Sequence, residues 1–226
     1  MKRLFLVALL IAAPARAEIH TVPYGDLLDR LDTRIGFETL PRKPEPGIRL
    51  DAPIRLPGIW IGEHFAGQII SGAPHDHLSV AAAKRPLRLR PGPKGQNLSV
   101  AYHRGFGSNA LFPLGPDGFD AISGRGEGAV AILFDNPQPE IGFRLHSDYP
   151  APLGATAAQG TVTVHFFNIK GQSLALQEFS PERGPVGHGF ACPGGAACIS
   201  GVVITNTDPG GIAMDDILFQ QRRPLF

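Results

Sequence analysis

Two histidines one residue apart, in His75-Asp76-His77, have the spacing in this sequence best suited to chemistry. On an extended strand they project to one face and could hold zinc or iron. Gly72, Ala73 and Pro74 just before them read as a loop, where two imidazoles need not converge, and residues 78–83 add no acid as a further ligand. His20, His64, His103, His146, His165 and His188 are scattered. No G-x-S-x-G marks a nucleophile elbow, and Gly124-Arg125-Gly126-Glu127-Gly128 lacks the Gly-Lys-Ser/Thr ending of a phosphate loop. Asp117, Asp120 and Glu127 are carboxylates of the kind glycoside hydrolysis needs, but nothing in their spacing fixes the separation it requires. No catalytic residue is assigned. Trp60, the one tryptophan, and Tyr102 are the candidates for stacking on a flat ligand. Trp60 sits in Pro57-Gly58-Ile59-Trp60-Ile61, and its apolar neighbours favour the core over an exposed platform; Phe106, Phe112 and Phe119 favour the core in the same way. The two cysteines, Cys192 and Cys198, are spaced C-x5-C rather than C-x-x-C, with Pro193-Gly194-Gly195 between them to form a turn. That pattern predicts a disulfide closing a short loop.

The segments that must carry these residues are short and rich in Val, Ile, Phe and Thr, separated by 28 Gly and 22 Pro spread along the chain. This is the pattern of many strands joined by turns. Residues 128–134 read as a buried strand closed by Asp135-Asn136-Pro137. Residues 140–146 alternate, with Ile141, Phe143 and Leu145 on one face. Residues 160–167 and 172–179 form a hairpin across Asn168-Ile169-Lys170-Gly171, and 199–205 and 211–220 give two further strands. In the first half, 34–39 and 98–103 read as strands, the proline-rich 41–57 as a loop or edge segment, and 71–76 and 104–108 as loops. The one helical candidate is 24–31, through Leu27, Leu28 and Leu31.

At the N-terminus, Lys2 and Arg3 precede the apolar run 4–13, and Ala15-Arg16-Ala17 offers small residues at the positions a signal peptidase reads. This predicts a signal peptide over 1–17, cleaved before Glu18, because the run is half the length of about twenty residues that a membrane span takes. No other stretch is long and apolar enough to span. The remainder, 18–226, suits one domain and a periplasmic or extracellular location. The chain's net charge is +1, and loss of Lys2, Arg3 and Arg16 with the leader makes it −2. So near-neutral a total gives no electrostatic reason to expect nucleic acid or an anionic membrane as partner.

Two segments at opposite ends carry a family resemblance. Gly36-Phe37-Glu38, placed in an early strand, together with the closing Ile212-Ala213-Met214-Asp215-Asp216-Ile217-Leu218-Phe219, resembles the jelly-roll sandwiches of the carbohydrate-binding-module and galactose-binding-like type. The strand 129–134 with Pro139-Glu140-Ile141-Gly142-Phe143, and the hairpin 161–176, are similar to paired strands of exported bacterial proteins of the exosortase-sorted (PEP-CTERM) type, without their C-terminal sorting segment. The resemblance covers about half of residues 18–226. It implies that the early and closing strands are neighbours and that Glu38 with Asp215, and Asp216 beside it, holds a structural calcium. Two or three carboxylates plus backbone carbonyls suit an ion that takes six to eight oxygens. Strict alternation groups Asp215 with Ile217 and Phe219, which turns it inward. The alternative is a solvated acid pair with Glu38 exposed.

The expected fold is all-β, an antiparallel jelly-roll-like sandwich. The resemblance implies a non-catalytic exported protein recognising polysaccharide or cell-envelope glycan. A secreted metal-dependent enzyme built on His75 and His77, and a purely structural envelope or matrix protein, stay open as alternatives.

Overall fold

The computed structural model describes residues 19–147 and 160–221, and the expected leader, 1–17, lies outside them. In chain order the first strands are β1 (His20–Val22), β2 (Thr33–Ile35), β3 (Ile48–Leu50), β4 (Ile54–Leu56), β5 (Ile59–Gly62) and β6 (His64–Phe65). The next are β7 (Ile69–Ser71), β8 (His77–Val80), β9 (Leu89–Arg90), β10 (Leu98–His103), β11 (Ser108–Pro113) and β12 (Val130–Gln138). The last are β13 (Glu140–Ser147), β14 (Val162–Phe167), β15 (Ser173–Phe179), β16 (Gly184–Ala191), β17 (Ile199–Asn206) and β18 (Ala213–Phe219). One α-helix, α1 (Tyr24–Arg30), follows β1.

These strands make an antiparallel β-sandwich. The larger sheet runs β1-β16-β13-β18-β11-β10-β3, with β2 paired to the end of β18; the smaller runs β15-β14-β17-β12-β5-β4. From β12 to β18 the chain crosses repeatedly between the sheets, as a jelly roll does. The reason is visible along β13. Ile141, Phe143 and Leu145 are buried between the sheets, and Arg144 and His146 project from the outer face. Facing them across the interior are Val130, Ile132 and Phe134 of β12, Val162, Val164 and Phe166 of β14 and Val202 and Ile204 of β17. Period-two alternation thus gives each sheet an apolar inner face, and burying these two faces is the main stabilising term. The proline-rich 41–57 supplies β3 and β4, the outermost strands at one edge of each sheet, where a missing N–H is tolerated.

Several expectations need correction. The strand expected over 34–39 ends at Ile35, and Gly36-Phe37-Glu38 leaves the sheet; Phe37 turns into the core, and the Asn109 amide donates to the carbonyls of Phe37 and Leu40. Asp135-Asn136-Pro137 does not close β12, which bulges there and resumes pairing at Gln138. Within α1, Leu27 is buried while Leu28 is 46% exposed, so the helix docks through a narrower face than its leucines suggested.

The β16 segment, Gly184-Pro185-Val186-Gly187-His188-Gly189-Phe190-Ala191, was not legible as a strand. Its glycines have a packing reason. The Tyr24 ring of α1 occupies the space a Cβ on Gly187 would fill, and Leu27 lies against Gly142 and Gly189. The Asn168–Gly171 hairpin forms as expected, with Gly171 at φ 73°.

Cys192 and Cys198 form the expected disulfide. Backbone bonds from Cys192 N to Pro139 O (2.8 Å) and from Cys198 N to Gln138 O (3.1 Å) hold its loop against the β12–β13 corner. Reduction is expected to lower unfolding stability by about 2 kcal/mol on loop-entropy grounds, read as a lower denaturant midpoint with an unchanged slope.

Candidate functional site

The two ends of the described chain do meet. Ile35, Arg34 and Thr33 of β2 pair with Ile217, Leu218 and Phe219 of β18. A β-bulge, however, overturns the alternation argument. Gly142 of β13 faces Leu218 and Arg144 faces Asp215, so Asp216 and Ile217 together oppose Phe143. Asp216 absorbs the extra residue at φ 54°, a conformation Asp tolerates better than most. Met214 and Ile217 therefore both enter the core, and Asp215 points to the outer face with Ala213.

The three acids expected to share calcium are divided by this bulge. Asp216 accepts from Arg34 Nε and Nη2 at 2.6 Å each and from Arg144 Nη1 at 3.0 Å. The Tyr24 hydroxyl donates to its carbonyl oxygen at 3.0 Å. Burial, then the Asp216 charge, raises the Tyr24 pKa, and the hydrogen bonds to Asp216 raise that of Arg34. Asp215 accepts from Ser108 Oγ at 2.6 Å and from the Asp216 backbone N–H at 2.8 Å. Glu38 is exposed, and its carboxylate lies over Gly36 near Asp215. Burial pushes Asp215 up to about 6, with the Asp216 and Glu38 charges adding to it. Two arginines thus occupy the place a cation would take beside Asp216, and among the described residues no group of three or more His, Cys, Asp or Glu side chains could hold a metal. Asp216 is thereby committed to the arginines, while Glu38 and Asp215 stay near each other over Gly36.

Further along the same outer face, His103 and His146 have ring centroids 4.5 Å apart, with Phe106 beside both. Burial lowers His103 to about 4, and the neighbouring His146 adds to the effect. They line an open depression of about 1010 Å3 with Arg42, Glu45, Tyr102 and Arg104. The Arg42 guanidinium lies 3.5 Å from the Tyr102 ring centroid, so one face of this candidate platform is already covered.

Trp60 is on the other side of the molecule. Ile59 and Ile61 enter the core, so the indole between them stands on the outer face of the smaller sheet, 40% exposed. This corrects the core placement: the apolar neighbours that suggested it are the inward half of an alternating strand. Arg55, paired with Asp135 at 2.6 Å through both nitrogens, lies 5.3 Å from the indole centroid. Trp60 and Tyr102 belong to different sheets and do not form one platform.

His75 and His77 are not brought together as ligands. His75 lies in the loop before β8, its Nε2 2.7 Å from the Asp208 carbonyl, whereas His77 begins the strand with Nε2 3.2 Å from Ser71 Oγ. The Asp between them proved more informative. Asp76 lines a depression of about 530 Å3 with Glu63, His64, Gln68 and Gln96. Glu63 is buried, with its carboxylate 2.7 Å from His64 Nδ1. Asp76 accepts from the Ala129 N–H at 3.1 Å, and burial, then the Glu63 charge, pushes it up to about 7. A carboxyl that keeps its proton to about pH 7 in an open depression can give it to a bound molecule. Sequence reading missed this pair, since only the packed fold takes both carboxyls out of water and into one depression.

No family model matches the chain, and no curated protein matches it. Among solved structures it is similar to a variant of the family 29 carbohydrate-binding module CBM29-2, at 13% identity over 55% of this chain and 76% of that one, with a TM-score of 0.34. It is similar to tailspike protein 4 of Bacteriophage CBA120 at 12% identity over 54% and 17% of the two chains, TM-score 0.33. The CBM22-1–GH10 modules of Clostridium thermocellum xylanase 10B overlap at 9% identity over 57% and 25%, TM-score 0.32. Overlaps this slight carry no argument about ligand or activity.

Proposed function

We propose that this chain is an exported, non-catalytic β-sandwich that binds polysaccharide on the outer face of its smaller sheet, with Trp60 as the stacking platform. The observation that carries the reading is the 40% exposed indole standing on a sheet face. A large aromatic left open to water on a rigid strand is ready to cover the apolar face of a sugar ring, and its surroundings need not reorganise on binding. The Cys192–Cys198 disulfide supports export, since such bonds persist in oxidising compartments. Among the described residues no helix is long and apolar enough to cross a membrane. Calcium has no part in this reading, and chelation is expected to leave Tm unchanged. Affinity electrophoresis through gels containing soluble polysaccharides tests the binding. The chain is expected to be retarded by at least one polymer, and Trp60→Ala to lose that retardation at an unchanged Tm. A Trp60→Ala chain retarded as strongly as the parent would sink the reading.

One observation favours a second reading, hydrolysis of a glycosidic bond. Glu63 and Asp76 line one depression, and Asp76 stays protonated to about pH 7 as a general acid must. Release of reducing ends that Asp76→Asn abolishes would establish it; no release from any polymer the chain binds would dismiss it.

A further inference from the structure

We infer that the polysaccharide taken at Trp60 is an acidic one, its carboxylate or sulfate groups held by Arg88 and Arg90. The inference rests on the reading of Trp60 above and names the ligand class of that site. Residues 77–116 contain no Asp or Glu, yet carry Lys84, Arg85, Arg88, Arg90, Lys94 and Arg104. In a chain of net charge +1 that is a strong local imbalance. The first five cations fall within the segment 84–94, and all five are exposed. Among the described residues none of the five is in an ion pair, although Arg30, Arg34, Arg49, Arg55 and Arg144 all are.

The fold aims this charge. Leu87-Arg88-Leu89-Arg90 alternates, and its leucines pack down onto Phe65, Ala131, Phe167 and Val203 on the outer side of the smaller sheet. The two guanidinium groups are thereby turned to solvent on one side, their Cα atoms about 7 Å apart. Leu89 lies directly over Gly62, where an added Cβ would meet its own Cβ at 3.3 Å. Gly62 is two residues along β5 from Trp60 and on the same face, so β9 crosses that outer face two positions along β5 from the indole. Lys170 extends the positive surface, because Gly171 packs on the Lys84 backbone.

An aromatic face next to unpaired guanidinium groups matches a polymer with both apolar ring faces and regularly spaced anions. Single-stranded nucleic acid is the poorer match, since its grooves use several stacking aromatics in a row and Trp60 is the one exposed large aromatic among the described residues.

Biolayer interferometry of the chain on immobilised carboxymethylcellulose and hydroxyethylcellulose, two polymers with one backbone and different charge, tests the inference. Polyglutamate serves as the anion without sugar. Expected are at least tenfold tighter binding to carboxymethylcellulose, loss of that preference in Arg88→Ala/Arg90→Ala, and its retention in Arg88→Lys/Arg90→Lys. Trp60→Ala is expected to weaken binding to both celluloses. Equal affinity for the two celluloses, dependent on Trp60 and indifferent to the arginines, would overturn the acidic class and leave the glycan reading standing. Polyglutamate bound as tightly as carboxymethylcellulose would show a general polyanion surface and overturn the inference. Binding to neither cellulose would overturn the inference, whereas the glycan reading falls only if no polysaccharide in the gels retards the chain.

Discussion

Removing Arg34 and Arg144 together is expected to destabilise the fold by about 3 kcal/mol at pH 7, at the lower end of the cost of stripping partners from a buried charge. The side chain of Asp216 is 8% exposed and fixed at the bulge, and these two guanidinium groups are its ion-pair partners among the described residues. Arg34 and Arg144 are themselves 57% and 29% exposed, and their replacement leaves no buried cation. The cost therefore falls almost entirely on the stranded carboxylate. One consequence separates this account from simple loss of packing, and it concerns the stability lost at pH 7. Adding Asp216→Asn to the double variant should restore most of it at pH 7, a coupling that denaturant melts of the four-member cycle would measure. A deficit unrelieved by Asp216→Asn would mean that the arginines act through their stems.

Glu127→Gln is expected to stabilise the protein at pH 8, by on the order of 2–4 kcal/mol, and to change it little at pH 4. Burial pushes the Glu127 carboxyl from its ordinary 4.5 up to about 8, with Asp117 and Asp208 adding to the shift and Arg125 opposing it. One of its oxygens is buried without a hydrogen-bond partner. The sign follows from proton uptake. Between pH 4.5 and 8 the unfolded chain has released this proton and the native chain keeps it, so stability is full below about 4.5 and is lost as the pH rises to 8. Asp76 and Asp215, raised to about 7 and about 6, act in the same direction. His103 and His188, lowered by burial to about 4, act in the opposite one, and their contribution is lost as the pH falls from 6.5 through 4. The parent should thus melt highest in mildly acid solution, at about pH 5 to 6. In Glu127→Gln the decline towards pH 8 should be shallower, which thermal melts across pH 4–9 would record.

Much of the sandwich was legible because alternation and turn residues are local signals. Strands β10, β13, β14, β15, β17 and β18 all lie where the periodicity puts them, and the Asn168–Gly171 turn joins its hairpin as its composition requires. What failed depended on contacts between distant parts of the chain. The β16 segment reads as a loop until α1 is seen to need its glycines. The facing of Asp215 was misjudged because one bulged residue inverts the parity of everything before it. Trp60 was misplaced because Ile59 and Ile61 were read as its surroundings, although on a strand they point away from it. The buried acids Glu63, Asp76 and Glu127 carry no sequence signal of their own, since only the packed fold takes them out of water. One signal was available and unused, the acid-free stretch 77–116, which a net charge summed over the whole chain conceals.

Trp60 is the chain's one tryptophan, so its fluorescence reports on the proposed platform without labelling or mutation. In a titration with the polysaccharide that most retards the chain, the emission maximum should shift to the blue and saturate as the sugar displaces water from the indole. An emission spectrum that does not move while the polymer demonstrably binds would put the glycan elsewhere on the molecule and contradict the account.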